Sequence, residues 1–273
     1  MYNNRIRKAG VVIERHITSK APASYTPVQK RLFEVEAAVR KHIQLNPKKE
    51  DFFYELKADV RKHILYLLEV EGMPYVELPG WYLAVKRGMD IFVGVTGLMI
   101  LSPLLLVVAA MIKMDSRGSI IYSQERVGKG RQPFKIHKLR TMIRNAEEKT
   151  GPEWIPPNDP RITFMGKFLR KSKIDEFPQF VNLIKGEITL VGPRPERPYF
   201  VDPFADIIPG YLRRLDVTPG ITGAAQLRNG YDRKPIDVIR KLRYDITYMK
   251  KMSLSMDLGI LWETFWRMLT GKL

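Results

Sequence analysis

Residues Ile91 to Ile112 carry no charge, and that stretch narrows what this 273-residue chain can fold into more than any other. At helical rise, its length of about 33 Å is enough to cross a hydrocarbon core. Both flanks are basic, Lys86 and Arg87 before and Lys113 and Arg117 after, so the positive-inside rule assigns no direction. Ser102-Pro103 stands at the midpoint, where proline removes a helix hydrogen bond and bends the axis. Two readings stand side by side: a tilted, kinked transmembrane helix, or a re-entrant helix that returns to the face it entered. The Ser102 hydroxyl is placed to satisfy a carbonyl freed at the bend. Under either reading the protein is expected to be membrane-embedded.

Charge narrows the company it keeps. Lysine and arginine outnumber aspartate and glutamate 46 to 29, a net +17 that points to nucleic acid, an anionic leaflet or phosphorylated substrates. The chain has no cysteine, which excludes disulfides and thiolate metal sites. His16, His42, His63 and His137 are scattered without ligand spacing. Met1 to Gly10 is polar and basic, which reads as no signal peptide, and residues 1–26 read as a loose lead-in. Leu32, Val35, Val39 and Ile43, then Phe53, Leu56, Val60, Ile64 and Leu67, fall at helical spacing on either side of Asn46-Pro47. They predict two amphipathic basic helices, either an accessory packing unit or one resting on an anionic leaflet. Pro74 to Gly80 reads as a hinge.

After the apolar stretch the period changes. Ile120-Ile121-Tyr122 and Phe134-Lys135-Ile136 around Gly128-Lys129-Gly130 predict a β-hairpin, the glycines being turn residues and not a phosphate loop. Lys138 and Arg140, followed by Thr141, are phosphate-binding candidates or solvated strand ends. Thr150 to Pro160 reads as a loop, and Arg161 to Lys171 as a helix bringing Arg170 towards Asp175-Glu176. Pro178 opens a helical run from Gln179 to Lys185, stopped by Gly186, so the acidic pair is expected at a helix N-terminus, where ionised carboxylates are favoured. A capping pair is the bland alternative. A short strand, Ile188 to Val191, leads into Pro193-Arg194-Pro195, whose prolines Pro193 and Pro195 restrict the backbone around one bidentate donor. Pro219 to Gly223 reads as a tight loop, with Gln226 and Arg228 just beyond. Leu258 to Leu269, with Trp262 and Trp266, is either an interfacial helix or an aromatic-rich core helix.

From Lys86 onward the chain resembles the bacterial sugar transferases, the monotopic polyprenol-phosphate phosphoglycosyl transferases. The resemblance rests on seven motifs in order. Lys86-Arg87 with Asp90 comes first, then Ser102-Pro103 and Gln124-Glu125-Arg126-Val127-Gly128. Lys138-Leu139-Arg140-Thr141-Met142 and Asp175-Glu176-Phe177-Pro178-Gln179 follow. Val191-Gly192-Pro193-Arg194-Pro195-Glu196 and Pro219-Gly220-Ile221-Thr222-Gly223 complete the series.

The resemblance implies an α+β, membrane-associated fold: a re-entrant membrane helix (86–113), then a small hairpin and a mostly helical catalytic part (114–273) with surface amphipathic helices. Residues 1–80 precede this as an accessory helical segment and linker. The implied reaction moves sugar-1-phosphate from a nucleotide diphosphate sugar, typically a UDP-sugar, to polyprenyl phosphate, releasing UMP. Asp175 is the implied nucleophile and Mg²⁺ site, and Glu176 its partner. Arg170 and Arg194 are the implied phosphate-binding arginines, joined as candidates by Lys138, Arg140, Arg126, Pro193, Pro195 and Arg228. The family's arginine about four residues past the Gln falls on Gly230 here, with Arg228 as the nearby substitute. The implied location is the bacterial cytoplasmic membrane, catalytic part inward, with no nucleic-acid partner. Three alternatives remain open: direct attack by polyprenyl phosphate with Asp175 as base or Mg²⁺ ligand, a membrane-tethered polyanion binder, and a non-catalytic scaffold.

Overall fold

The computed structural model describes residues 21–148, 151–153, 159–229 and 234–271. The stretch read as no signal peptide, most of the lead-in, part of the 150–160 loop and Gly230 lie outside the described residues. Contacts gather the chain into two units, Met1–Pro74 with Asp202–Arg213 and Lys234–Ile239, and Tyr75–Val201 with Arg214–Arg233 and Arg240–Leu273.

The first unit is built on α1 (Pro27–Leu45) and α2 (Glu50–Glu71). Thr26 and Gln29 form a reciprocal capping box and Pro27 opens α1, so the free N–H groups of its first turn are satisfied locally. Val35 and Val39 on α1 and Phe53, Leu56, Val60, Ile64 and Leu67 on α2 are buried, as their spacing predicts. Two helices cannot close such a core alone. Phe204, Ile207, Ile208 and Tyr211, from much later in the chain, complete it, with the Phe204 ring 6.2 Å from Phe52. Asp206 binds His42 at 2.9 Å and Lys41 at 3.2 Å. Gly210, at φ 74°, passes so close to α2 that a Cβ would lie 2.7 Å from the Glu71 nitrogen.

The second unit is organised on α3 (Gly80–Asp115), which runs unbroken through Pro103. At 36 residues it is about 54 Å long. Pro103 offers no N–H to Met99, and Ser102 Oγ donates to that same carbonyl at 3.0 Å. The local defect is thus repaired within the helix, which carries on for three more turns. Among the described residues, α3 is the one helix long and apolar enough to cross a membrane, and most of its surface is bare: Ile100 is 75% and Leu106 74% exposed.

Three devices fasten it. Gly94 and Gly97 let Ile184 and Phe180 approach so closely that a Cβ at either glycine would meet them at 2.7 Å. Asp90 accepts from Thr189 Oγ1 at 3.0 Å and the Leu190 amide at 2.8 Å. Lys86, Tyr82 and Tyr248 converge on Asp257 at 2.5, 2.8 and 2.6 Å. The charged motif at the start of α3 is therefore a set of buried ties.

Strands β1 (Ile121–Val127) and β2 (Pro133–Leu139) pair antiparallel with Ile121 opposite Leu139, confirming the hairpin. Helix α4 (Phe164–Ser172) follows, capped by Thr163, then α5 (Gln179–Lys185), which ends at Gly186 with φ 82°. Arg87 donates to the last carbonyls of α5, Leu183 and Ile184, at 2.6 and 2.5 Å. Asn182 bridges α5 to β2, donating to the Lys135 carbonyl at 2.7 Å and accepting from the His137 amide at 3.1 Å.

Strand β3 (Thr189–Val191) pairs in parallel with β4 (Gly220–Thr222). The stretch read as a tight loop therefore carries a strand. Three residues are too few for a period of two to register, and pairing decided the matter. Helices α6 (Pro198–Ile207), α7 (Ala224–Asn229), α8 (Pro235–Lys250) and α9 (Leu254–Leu269) complete the chain. On α9, Asp257 and Ile260 point inward while Trp262, at 67% exposed, Phe265, Trp266 and Leu269 point out. It is a surface helix with an aromatic outer face, not a core helix.

Candidate active site

The acidic pair is placed by the core beneath it. Leu169, in the last turns of α4, packs with Val108 and Ile112 of α3 and Leu139 of β2, and Ile174 closes over them. Between Leu169 and Ile174 the chain must reverse, and Lys173 adopts the left-handed conformation at φ 59° to do so. A single 3-10 turn, Ile174–Glu176, then presents Asp175 and Glu176. The pair thus sits in the turn before α5, and not in the first turn of α5 itself.

The two carboxylates are held in opposite ways. Glu176 Oε1 accepts from Lys138 Nζ of β2 at 2.7 Å and from Arg194 Nη2 of the loop after β3 at 2.8 Å. Burial alone would raise its pKa, but Arg194 and Lys138 outweigh that and hold it well below the usual glutamate range. Burial in turn pushes Lys138 down, against the pull of Glu176. Asp175 is only 8% exposed and accepts no hydrogen bond among the described residues, yet neither of its oxygens is fully enclosed. Burial first and then the Glu176 charge push its pKa up, while Lys138, Arg170 and Lys173 pull it down. One carboxylate is committed as an anchor, and the other is left free in a field of cations.

Arg170 reaches this cluster from α4 and is steadied by Thr141, whose hydroxyl accepts from Nε at 2.8 Å. Gly166 makes that approach possible, since a Cβ there would lie 2.0 Å from the Thr141 carbonyl oxygen. Pro193 and Pro195 act through their carbonyls: Gly220 N donates to the first at 2.9 Å and Arg126 Nη1 to the second at 3.0 Å. Arg126 is therefore a backbone anchor for the Arg194 loop, and burial lowers its pKa to about 10.

The remaining candidates lie elsewhere. Arg140 donates to the Ser116 carbonyl at 2.6 Å and Ser116 Oγ at 3.0 Å, where it complements the carbonyl end of α3. Arg228 pairs with Glu263 of α9 at 3.1 Å, and Ser102 and Pro103 sit mid-helix in α3. Asn182 and Gly166 were not singled out from sequence. Nothing in the spacing marks an asparagine that seals a strand edge, although a glycine inside a short helix is a signal of close approach.

Among the described residues, no group of three or more Asp, Glu or His side chains is placed to share a metal ion. The uncommitted oxygens of Asp175 nevertheless fit Mg²⁺, which keeps several waters and takes one or two carboxylates alongside phosphate oxygens.

Fold and site together define an α+β protein with one helix long and apolar enough to cross a membrane and an acidic pair, Asp175 buried and Glu176 partly so, set among cations. More particularly, residues 81–271 match the family described as bacterial sugar transferase, and the chain belongs to that family. It is 44% identical over 190 residues to the UDP-N-acetylgalactosamine-undecaprenyl-phosphate N-acetylgalactosaminephosphotransferase of Aeromonas hydrophila, covering 70% of this chain and 45% of that one. It is 34% identical over 215 residues to the UDP-glucose:undecaprenyl-phosphate glucose-1-phosphate transferase of Escherichia coli (strain K12), covering 76% and 46%. It is 35% identical over 187 residues to the exopolysaccharide production protein PSS of Rhizobium leguminosarum bv. phaseoli, covering 67% and 94%. The chain thus spans under half of the first two relatives and nearly all of the third.

Proposed function

We propose that this protein transfers sugar-1-phosphate from a UDP-sugar to polyprenyl phosphate, an early membrane step in building a polysaccharide or glycoconjugate. The observation that carries the reading is the asymmetry of the pair, with Glu176 locked by Lys138 and Arg194 and Asp175 buried but accepting no hydrogen bond among the described residues. An Asp175 oxygen attacks the sugar-proximal phosphorus, and the bond from that phosphorus to the bridging oxygen breaks. UMP leaves with the electron pair, and sugar phosphate remains on Asp175. An oxygen of polyprenyl phosphate then attacks the same phosphorus and returns Asp175 as a carboxylate. Arg194, Arg170 and Lys138 offset the charge that builds on the phosphoryl oxygens, the main demand of this chemistry. Mg²⁺, held by Asp175 and the diphosphate, would supply further charge neutralisation.

On this reading α3 is inserted from the cytoplasmic face of the bacterial inner membrane, and a return of both basic ends to that face requires the helix, unbroken here, to bend at Ser102-Pro103 in the bilayer. The outward aromatics of α9 lie at the headgroup level of an anionic leaflet. The names of the relatives support UDP-N-acetylgalactosamine and UDP-glucose as the first donors to try.

Purified protein in detergent, given polyprenyl phosphate, Mg²⁺ and each donor, should release UMP with one of them. Asp175→Asn should abolish release by a folded protein. Acid quenching should trap labelled phosphosugar on the wild-type chain alone. Turnover without an adduct would favour direct attack by polyprenyl phosphate, with Asp175 as base or Mg²⁺ ligand. Silence with these two moves the search to other UDP-sugars, and a folded protein silent with every UDP-sugar would sink the reading.

A further inference from the structure

Behind the Pro193-Arg194-Pro195 loop lies a buried group of charges that the chemistry above does not use. The Arg214 side chain is 2% exposed, and its Nη2 lies 2.7 Å from Asp245 Oδ2. Nε donates to the same oxygen at 2.9 Å, and Nη2 also donates to the backbone carbonyl of Arg194 at 3.0 Å. Beside them Glu196 binds Lys241 Nζ at 2.5 Å and lies 3.8 Å from Arg126 and 3.9 Å from Arg214. Three cations and two carboxylates are thus taken out of water together. Desolvation makes such a group a poor source of stability compared with apolar side chains of similar volume.

Its geometry suggests another use. Four successive carbonyls, those of residues 193 to 196, each accept one hydrogen bond. The donors are Gly220 N at 2.9 Å, Arg214 Nη2 at 3.0 Å, Arg126 Nη1 at 3.0 Å and Val127 N at 2.9 Å. The bond from Arg214 is the one made to Arg194 itself. Prolines on both sides already limit φ in this loop. Pro195 also confines ψ of Arg194 to a broad extended range, and the bond from Arg214 fixes the Arg194 peptide within that range and so the backbone from which the guanidinium is displayed.

We propose that Arg214, oriented by Asp245, is a positioning residue that fixes the backbone of Arg194 so that its guanidinium meets Glu176 and the donor diphosphate. The inference rests on the proposed reaction for its catalytic consequence, but not for its structural one. The test is a double-mutant cycle on the full-length protein in detergent. Arg214→Lys keeps the charge but loses the rigid fork that serves two acceptors at once. On the wild-type background it should lower kcat/KM for the UDP-sugar on the order of tenfold, as expected for a displaced binding group. On an Arg194→Lys background it should add almost nothing, because its target is already gone. Multiplying losses would mean that Arg214 acts independently of Arg194 and would overturn the proposal. If Arg214→Lys fails to fold, Asp245→Asn must give the same non-additivity.

Hydrogen exchange at the Val127 and Gly220 amides, which donate to the Glu196 and Pro193 carbonyls on either side of the Arg194 peptide, decides the structural claim without turnover. Exchange on the order of tenfold faster in Arg214→Lys, with the α3 core unchanged, supports it; wild-type exchange overturns it. A wild-type protein inactive with every UDP-sugar sinks the reaction alone, and exchange still judges Arg214.

Discussion

Asp175 and Glu176 are neighbours in sequence with opposite electrostatics, and that difference sets what each substitution does. The pKa of Asp175 is raised, so the fold favours its neutral form. The stability tied to that proton is full below the ordinary aspartate value and is lost as pH rises through the raised one. Asp175→Asn should therefore leave the Tm unchanged or raise it while abolishing turnover, as calorimetry alongside UMP release would report. Because attack needs the ionised form, the acid limb of the kcat/KM profile should lie above about 3.9, the free aspartate value. A limb at or below that value would contradict the burial argument. Glu176 carries the reverse sign: its stabilising contribution is present above the ordinary glutamate range and disappears as pH falls through the depressed value. Glu176→Gln should destabilise by about 3 kcal/mol, the low end for a broken buried pair because Arg194 is 32% exposed. Denaturant melts at neutral pH check this.

At the scale of elements, close backbone approaches place the site. α4 carries Arg170 and packs on the end of β2 only because Gly166 has no Cβ, the Thr141 carbonyl lying 2.0 Å from where one would stand. Backbone on both sides leaves no soft neighbour to yield. Gly166→Ala should cost about 2 kcal/mol or more, in the range of overpacked sites, and lower activity by moving Arg170. The control is Gly259→Ala on the outer face of α9, where nothing lies within 4 Å of the added atom. It should raise stability by about 0.5–1 kcal/mol through helix propensity. Equal effects of the two substitutions in thermal melts would refute this account. Seven-residue α5 is likewise held from outside, by Arg87 on its last carbonyls and Asn182 on β2. Its sequence reads clearly, from Pro178 to Gly186, but its placement is the work of residues far away.

Over the whole molecule, the N-terminal helices are not a detachable tag. Their core includes Phe204, Ile207, Ile208 and Tyr211, which lie inside the span matched to the sugar transferase family. Deleting residues 1–74 should bare those side chains, and the truncated chain should aggregate or melt several degrees lower on purification. A truncated protein with the full-length Tm would disprove the shared core. The bare surface of α3 and the aromatic face of α9 give a second whole-molecule expectation. Alkaline carbonate washing of membranes should leave the protein in the pellet, whereas a protein held only by surface charge is released.

Local chemistry was enough to read much of this protein. The uncharged run that became α3, the heptad-like spacing of α1 and α2, the glycine turn of the hairpin and the stop at Gly186 each depend on neighbours a few residues away. The Asp175-Glu176 pair, with Arg194 between two prolines, was legible for the same reason. Only the tertiary structure decided that Glu176 is the locked carboxylate, since Lys138 and Arg194 lie 38 and 18 residues away in sequence. It also sent Arg140 to the end of α3 and Arg228 to α9, because a cation binds whichever carbonyl or carboxylate the fold brings within reach. β4 and the third layer of the N-terminal core stayed hidden on the same grounds. A three-residue strand and a covering segment have no period of their own, and they exist only once distant backbone and apolar surface have met.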